Sequence, residues 1–276
     1  METSTTPFPL SVRPEVTFDF SNSPAVHHRG NAYLSHFWNA LSIMAPTTER
    51  AAMRVLRNAR KSIDDPELRA DIDAFLKQEG LHTREHRRFN ARLAALGYEA
   101  DAAIDSADLA VDAYLDRVDA RAGLALVIAG EHLIYALARD LLGDPRVLDG
   151  MDPEVKRLFL WHALEEVEHQ SVAHDVYVHL YGDGPKHRLV RAKAFMDAAL
   201  LLGETVRDIL TSLLAVEPQR RRADQGDLAR FMLLSPGYGR GVLGYTLRFL
   251  SPRFKPWEKP EDLSLIEDAR QQILVA

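Results

Sequence analysis

The sequence predicts an all-α protein built around an up-down bundle of four long helices. Helix-forming residues dominate from Asn31 onward, and apolar residues there recur at spacings of three and four. Pro and Gly gather at the ends of these periodic segments, where they act as punctuation. No short apolar runs alternate with helices, which argues against an α/β sheet. The 276 residues are 46% hydrophobic and 27% charged, proportions that suit a packed core. With no dividing linker, the expectation is one domain: an extended arm over 1–30, a four-helix bundle over 31–182 and accessory helices over 183–276.

The elements follow from their breaks. The arm is rich in Pro, Ser and Thr, and its alternating stretch from Val12 to Phe20 reads as an edge strand or an extended segment. A first helix from Tyr33 pauses at Pro46, restarts behind Thr47 and Thr48, and ends near Ser62. Asp65 caps a second helix with Pro66 in its first turn, running to Leu96 before Gly97. After a loop over Tyr98–Ser106, a third helix is expected from Asp108 to Leu142, stopped by Gly143-Asp144-Pro145. Asp152-Pro153 opens a fourth, continuous to Tyr181 and closed by Gly182. Helices over Arg188–Ala215 and Leu228–Leu250, the latter broken at Pro236-Gly237, and a short amphipathic one ending at Leu274 complete the chain.

Composition removes several classes of function. There is no cysteine, so disulfides, zinc–thiolate sites, iron–sulfur clusters and thiol nucleophiles are all absent. The net charge of −6 argues against a nucleic-acid partner, which would call for a basic face. The first residues lack the basic start and apolar core of a secretory leader. The most apolar stretch, Ala194–Ala215, is interrupted by Asp197, Glu204, Arg207 and Asp208, so no membrane span is expected. A cytoplasmic, soluble protein is the expectation, and any metal must be held by oxygen and nitrogen.

The chemistry lies on the four long helices. Glu-x-x-His places both side chains on one helix face, and it occurs twice, as Glu79-Gly-Leu-His82 and Glu166-Val-Glu-His169. Seventeen Glu and 11 His in 276 residues give about 0.7 such pairs by chance, so the count alone decides little. Position decides more. Glu49 and Glu79 lie symmetrically about the Asp64-Asp65-Pro66 break, Glu131 and Glu166 about the Gly143–Met151 loop, and Glu79 and Glu131 about the Tyr98–Ser106 loop. In an up-down bundle those four glutamates share one layer. One Glu from each of two helices and Glu-x-x-His from each of two others is the ligand pattern of di-iron and di-manganese carboxylate bundles.

Charge supports that reading, because four buried carboxylates and two imidazoles are prohibitively costly unpaired, whereas two divalent cations cancel the four negative charges. The bland alternative makes Glu49 and Glu79 solvated surface residues and His82 a satisfied core histidine. His162 lies one turn before Glu166 and is favoured as a seventh ligand over a supporting role. His86, one turn after His82, is favoured in the reverse order, as a partner behind the ligands. Glu165 could accept a hydrogen bond from a ligand histidine, and Glu168 is expected to be solvated or ion-paired. His132 points away from the layer. Tyr135, one turn after Glu131, could line the site, although ordinary packing is the favoured reading.

The run Gln78-Glu79-x-x-His82-x-x-x-His86-x-x-x-Asn90, with Trp161-His162-Ala163-x-Glu165-Glu166-x-Glu168-His169, resembles the bacterial family known as predicted metal-dependent hydrolases. The resemblance extends from Val12 through Asn39-Ala40-Leu41-Ser42 and Glu49 to the tail. That family's tail usually reads Phe-His-Pro-Trp, where this chain has Phe254-Lys255-Pro256-Trp257, and a glycine often stands where this chain has Thr48. The ligand pattern is also similar to that of ferritin-like non-haem di-iron oxygenases, and His162-x-x-x-Glu166-x-x-His169 resembles the arylamine N-oxygenases with their additional histidine. The leading expectation is two iron ions, with manganese or a mixed pair as alternatives, activating dioxygen on a small organic substrate. The alternatives are a two-metal hydrolase, as the family description implies, or an iron-binding or ferroxidase protein. The accessory helices suit a cover over a substrate channel or a homodimer interface.

Overall fold

A computed structural model describes residues 5–218, 221–251, 254–257 and 261–274. Those residues form ten α-helices and no strand, with one isolated bridge between His28 and Met151. The helices are α1 (Ala32–Ala59), α2 (Pro66–Ala95), α3 (Asp101–Arg117), α4 (Ala120–Gly143) and α5 (Pro153–Glu168). They continue as α6 (Val172–Tyr181), α7 (Pro185–Val216), α8 (Arg222–Leu233), α9 (Tyr238–Arg248) and α10 (Glu261–Leu274). The all-α expectation holds.

Helix starts follow their caps. The Asn31 side chain accepts from the Leu34 amide, Asp65 from Glu67 and Leu68, Asp119 from Ala122, and Asp152 from Glu154 and Val155. Each satisfies amides that the first turn leaves without partners. Pro66, Pro153 and Pro185 occupy first-turn positions, where the missing N–H costs nothing. Gly97, just beyond α2, has φ +90°, a conformation that admits no side chain without strain.

Four expected boundaries need correction. Pro46 does not interrupt the first helix; α1 runs through it. The third helix is two. α3 begins at Asp101 inside the expected loop, and the chain breaks at Val118 before Asp119 caps α4. The fourth helix is also two, since α5 ends at Glu168 and α6 begins at Val172, with His169 at the break. Neither break contains Gly or Pro, which is why periodicity passed over them. α8 begins at Arg222, ahead of the expected Leu228, and separates from α9 at Pro236-Gly237 as expected.

α1 packs on α2, and α4 on α5 and α6; α7 lies along both α1 and α4. α9 covers α4, and α10 covers α5. Arg50 and Arg54 on α1 tie down α3 through Asp108, Asp112 and Asp116. Among the long helices the most apolar is α4 and not the expected Ala194–Ala215 stretch. It is long and apolar enough to cross a membrane, yet 67% of its apolar window is buried against neighbouring helices.

The described residues of the arm form no strand. They lie extended over α2 and α5, with Phe18 beside Trp161 (ring centroids 5.6 Å apart) and Phe20 beside Phe89 (5.1 Å). Both phenylalanines are buried, each worth roughly 1.5–3 kcal/mol of transfer from water. Arg88 donates to the Phe18 carbonyl at 2.9 Å, and Arg157 donates to that of Thr17. The arm is therefore a structural part of the bundle, and it carries Arg13 to the site.

Candidate metal centre

Every residue proposed as a ligand reaches one buried region. Glu49 comes from α1, Glu79 and His82 from α2, Glu131 from α4, His162 and Glu166 from α5, and His169 from the break after α5. Two groups of donors emerge. In the first, Glu79, His82, Glu166 and His169 each present an atom within 4.8 Å of the others; in the second, Glu49, His86 and His162 do so. Glu166 stands between them. Its Oε1 is 2.7 Å from His162 Nε2, 3.6 Å from His82 Nδ1 and 3.7 Å from His169 Nε2. Glu131 belongs to neither group, its Oε2 lying 3.4 Å from His169 Nδ1.

The break between α5 and α6 matters here. The helical backbone holds as far as the His169 N–H, which donates to the Glu165 carbonyl at 3.1 Å. His169 itself leaves α geometry at φ −103°, ψ 18°, and its ring packs edge-on against Phe75 at 4.6 Å. Nε2 then lies 3.5 Å from Glu79 Oε1 and Nδ1 turns to Glu131.

His86, expected as a partner behind the ligands, has its Nε2 2.5 Å from His162 Nδ1, inside the second group of donors. A short hydrogen-bond chain orients it. Pro46 has no N–H, so the carbonyl of Ser42, four residues earlier, loses its helical donor. The Asn90 amide fills that gap, donating to the Ser42 carbonyl at 3.0 Å. Asn90 Oδ1 in turn accepts the Ser42 hydroxyl at 2.8 Å. The single hydroxyl hydrogen is then used, so Ser42 Oγ accepts from His86 Nδ1–H at 2.8 Å. Nε2 of His86 must present a lone pair to the cluster. In the sequence Ser42 and Asn90 stand out only through the family resemblance; their contacts show what they hold.

His82 is oriented in the same way. Its Nε2 donates at 3.0 Å to Glu165, as expected for a ligand histidine, leaving Nδ1 for the cluster. Glu165 is held by Trp161 Nε1 at 3.0 Å and Arg13 at 2.9 Å. Arg13 also binds Glu168 at 2.5 and 2.9 Å, and Arg270 reaches Glu168 at 2.8 Å. Glu168 is thus ion-paired, as one of the two expectations had it, but buried. Arg13 carried no sequence signal. It sits in an arm otherwise notable only for alternation.

Tyr135 does not line the cluster; its hydroxyl donates to Asp262 of α10 at 2.7 Å. His132 is also elsewhere, with Nε2 at 3.0 Å from the Tyr245 carbonyl and its ring stacked on Phe249. Of the tail, Trp257 donates from Nε1 to Ser171 at 3.1 Å, closing over the α5–α6 break.

The electrostatics favour neutral groups, or a cation to replace the missing charge. Burial lifts the Glu49 and Glu166 carboxyls to about 8, and burial with the nearby Glu166 and Glu131 carries Glu79 well above its usual range. Burial pushes His82 and His86 well below the usual histidine range and His162 down to about 4. His169 moves the other way: burial opposes its charge, but Glu166 and Glu131 outweigh burial. Glu49 Oε1, Glu79 Oε1, His82 Nδ1 and both ring nitrogens of His169 are buried without a hydrogen-bond partner. Such orphans each cost free energy unless something binds them. Carboxylate and imidazole atoms converging without thiolate fit divalent iron, manganese or zinc. The residues fit a metal pair.

A family model, predicted metal-dependent hydrolase, matches residues 12–260. The chain belongs to that family. The match includes Arg13 in the arm, both Glu-x-x-His motifs, and the helices that cover them. No curated protein and no solved structure matches the chain.

Proposed function

We propose that this family member is a dinuclear metal enzyme that hydrolyses a small, largely apolar ester or amide. The observation supporting it is the meeting of two donor groups at Glu166, inside a chain whose family is described as metal-dependent hydrolases. One ion would be held by Glu79, His82, Glu166 and His169, the other by Glu49, His86 and His162, with Glu166 available to both. Bound divalent ions supply an activated water and a polarised carbonyl, or, as iron, the electrons for dioxygen. Ser42 and Glu165 fix the imidazoles that face the ions. Glu131, outside both donor groups and bordering a cavity, would be the carboxylate available to accept a proton there.

Dioxygen activation by a di-iron pair in a ferritin-like bundle is the second reading. It is favoured by the cavity walls, which carry no Lys, Arg, Asn or Gln side chain to hold an oxyanion. One experiment separates the two. The purified protein is analysed for metals and assayed on an aliphatic ester with and without oxygen. Two ions per chain and turnover that persists anaerobically, but is lost on chelation, support hydrolysis. Product formation that requires both iron and dioxygen replaces it with the second reading. Full metal retention in both Glu79→Ala and Glu166→Ala would refute the ligand assignment itself.

A further inference from the structure

Two apolar cavities meet at the cluster. The inner one, of about 70 Å³, lies among α1, α2, α4, α5 and α9, and Glu49, His86, His162 and Glu166 form its floor. The outer one, of about 80 Å³, lies among α1, α3, α4 and α7 and touches Glu131. They share three walls, Met44, Thr48 and Ile134. Neither is lined by Lys or Arg, so along the walls away from the cluster nothing would neutralise a charged group. The outer cavity runs toward the surface between α3 and α7, where Val111, Leu201 and Thr205 are partly exposed. On those two helices Leu109 and Leu200 are 72% and 59% exposed, an apolar surface beside an apolar cavity.

The volumes limit shape. A dry cavity of about 150 Å³ is the size that takes up one benzene ring. Each cavity here offers about half of that, so a planar ring needs the walls to move, whereas a chain of methylenes can occupy both in series. Met44, unbranched and adaptable, is the wall best suited to yield between them.

We propose that the substrate is a slender, uncharged aliphatic chain that enters between α3 and α7, threads past Met44, Thr48 and Ile134, and presents its reacting bond to the cluster. This rests on the metal-enzyme reading for the chemistry at the cluster, but the chain path stands on the cavities alone.

The test is binding, measured by calorimetry on the full-length protein with metal content determined on the same preparation. The probes are straight-chain alcohols from propanol to decanol, with benzyl alcohol as the ring. Affinity should rise with each added methylene until both cavities are filled, then level off, and benzyl alcohol should bind more weakly than hexanol. Ala198→Phe narrows the outer cavity and should weaken octanol about tenfold, the loss of one to two buried methylenes, with a smaller effect on propanol. Thr205→Trp, at the partly exposed mouth, should do the same and guards against a misfolded first variant. Benzyl alcohol binding as tightly as octanol, or octanol affinity unchanged in both variants, overturns the proposal. Chain-length-dependent binding by protein that takes up no metal would sustain this inference and sink the metal-enzyme reading. Metal uptake without such binding would do the reverse.

Discussion

Arg13 shows how much one side chain can hold. It is buried between Glu165 and Glu168, and through Glu165 it fixes the tautomer of His82. Arg13→Ala leaves two buried carboxylates short of a partner and should cost about 3 to 5 kcal/mol in denaturant unfolding. Metal affinity should fall as well, because His82 loses its fixed orientation; wild-type stability in Arg13→Ala would show that Arg270 and Gln78 suffice for Glu168. His86 is the second residue to test. His86→Ala should lower the bound metal from two ions per chain to one, counted by elemental analysis, with the Glu79 group still loaded. Two ions in that variant would return His86 to the supporting role expected from spacing.

At the scale of the element, α1 and the α5–α6 break do the positioning. Pro46 opens the backbone of α1 at Ser42, and Asn90 of α2 occupies the opening. Pro46→Ala restores a helical donor to the Ser42 carbonyl, in competition with Asn90. The expected result is a helix at least as stable by thermal unfolding, but with the affinity of one of the two ions reduced about tenfold through the loosened His86. Equal affinities for both ions before and after the change would dissociate the proline from the site. α3 illustrates why element boundaries escaped the periodic pattern. Its apolar residues continue into those of α4 without a Gly or Pro between them, and only Val118 in extended geometry and the Asp119 cap separate the two. The expected equal spacing of Glu79 and Glu131 about a loop assumed a connection that α3 actually occupies. Glu131 still reaches the cluster, although its partner is His169 and it stands outside both donor groups.

At the scale of the whole molecule, burial of the cluster couples folding to protons and metal. In metal-free protein the folded-state values of Glu49 and Glu166 are about 8 against 4.5 for an unperturbed carboxyl, and His169 is also raised. Between pH 6.5 and about 8 the folded state therefore binds more protons than the unfolded chain, and stability must fall as pH rises. Below pH 6.5 histidines that burial depresses, among them His162, His27, His28, His82, His86 and His132, act oppositely, since the unfolded chain then binds the extra protons. Urea midpoints of chelator-treated protein should thus decline from pH 6.5 to about 8. Divalent metal, which takes the place of those protons, should flatten the decline. Identical slopes with and without metal would mean that the cluster carboxyls are not what titrates.

The all-α class, most helix starts and the converging Glu and His residues were legible in the amino-acid sequence, because each depends on local rules. Caps and prolines act on the adjacent turn, and Glu-x-x-His shares a face through the helical repeat alone. Tertiary structure decided the rest. The division of the long helices at Val118 and His169, the entry of Arg13 from the arm, the turning of His86 into the cluster and the line of apolar cavities all arise between segments distant in the chain. Burial is the physical reason: the cost of leaving a carboxylate, an imidazole or a carbonyl without a partner is set by what packs around it, and no spacing in one helix records that.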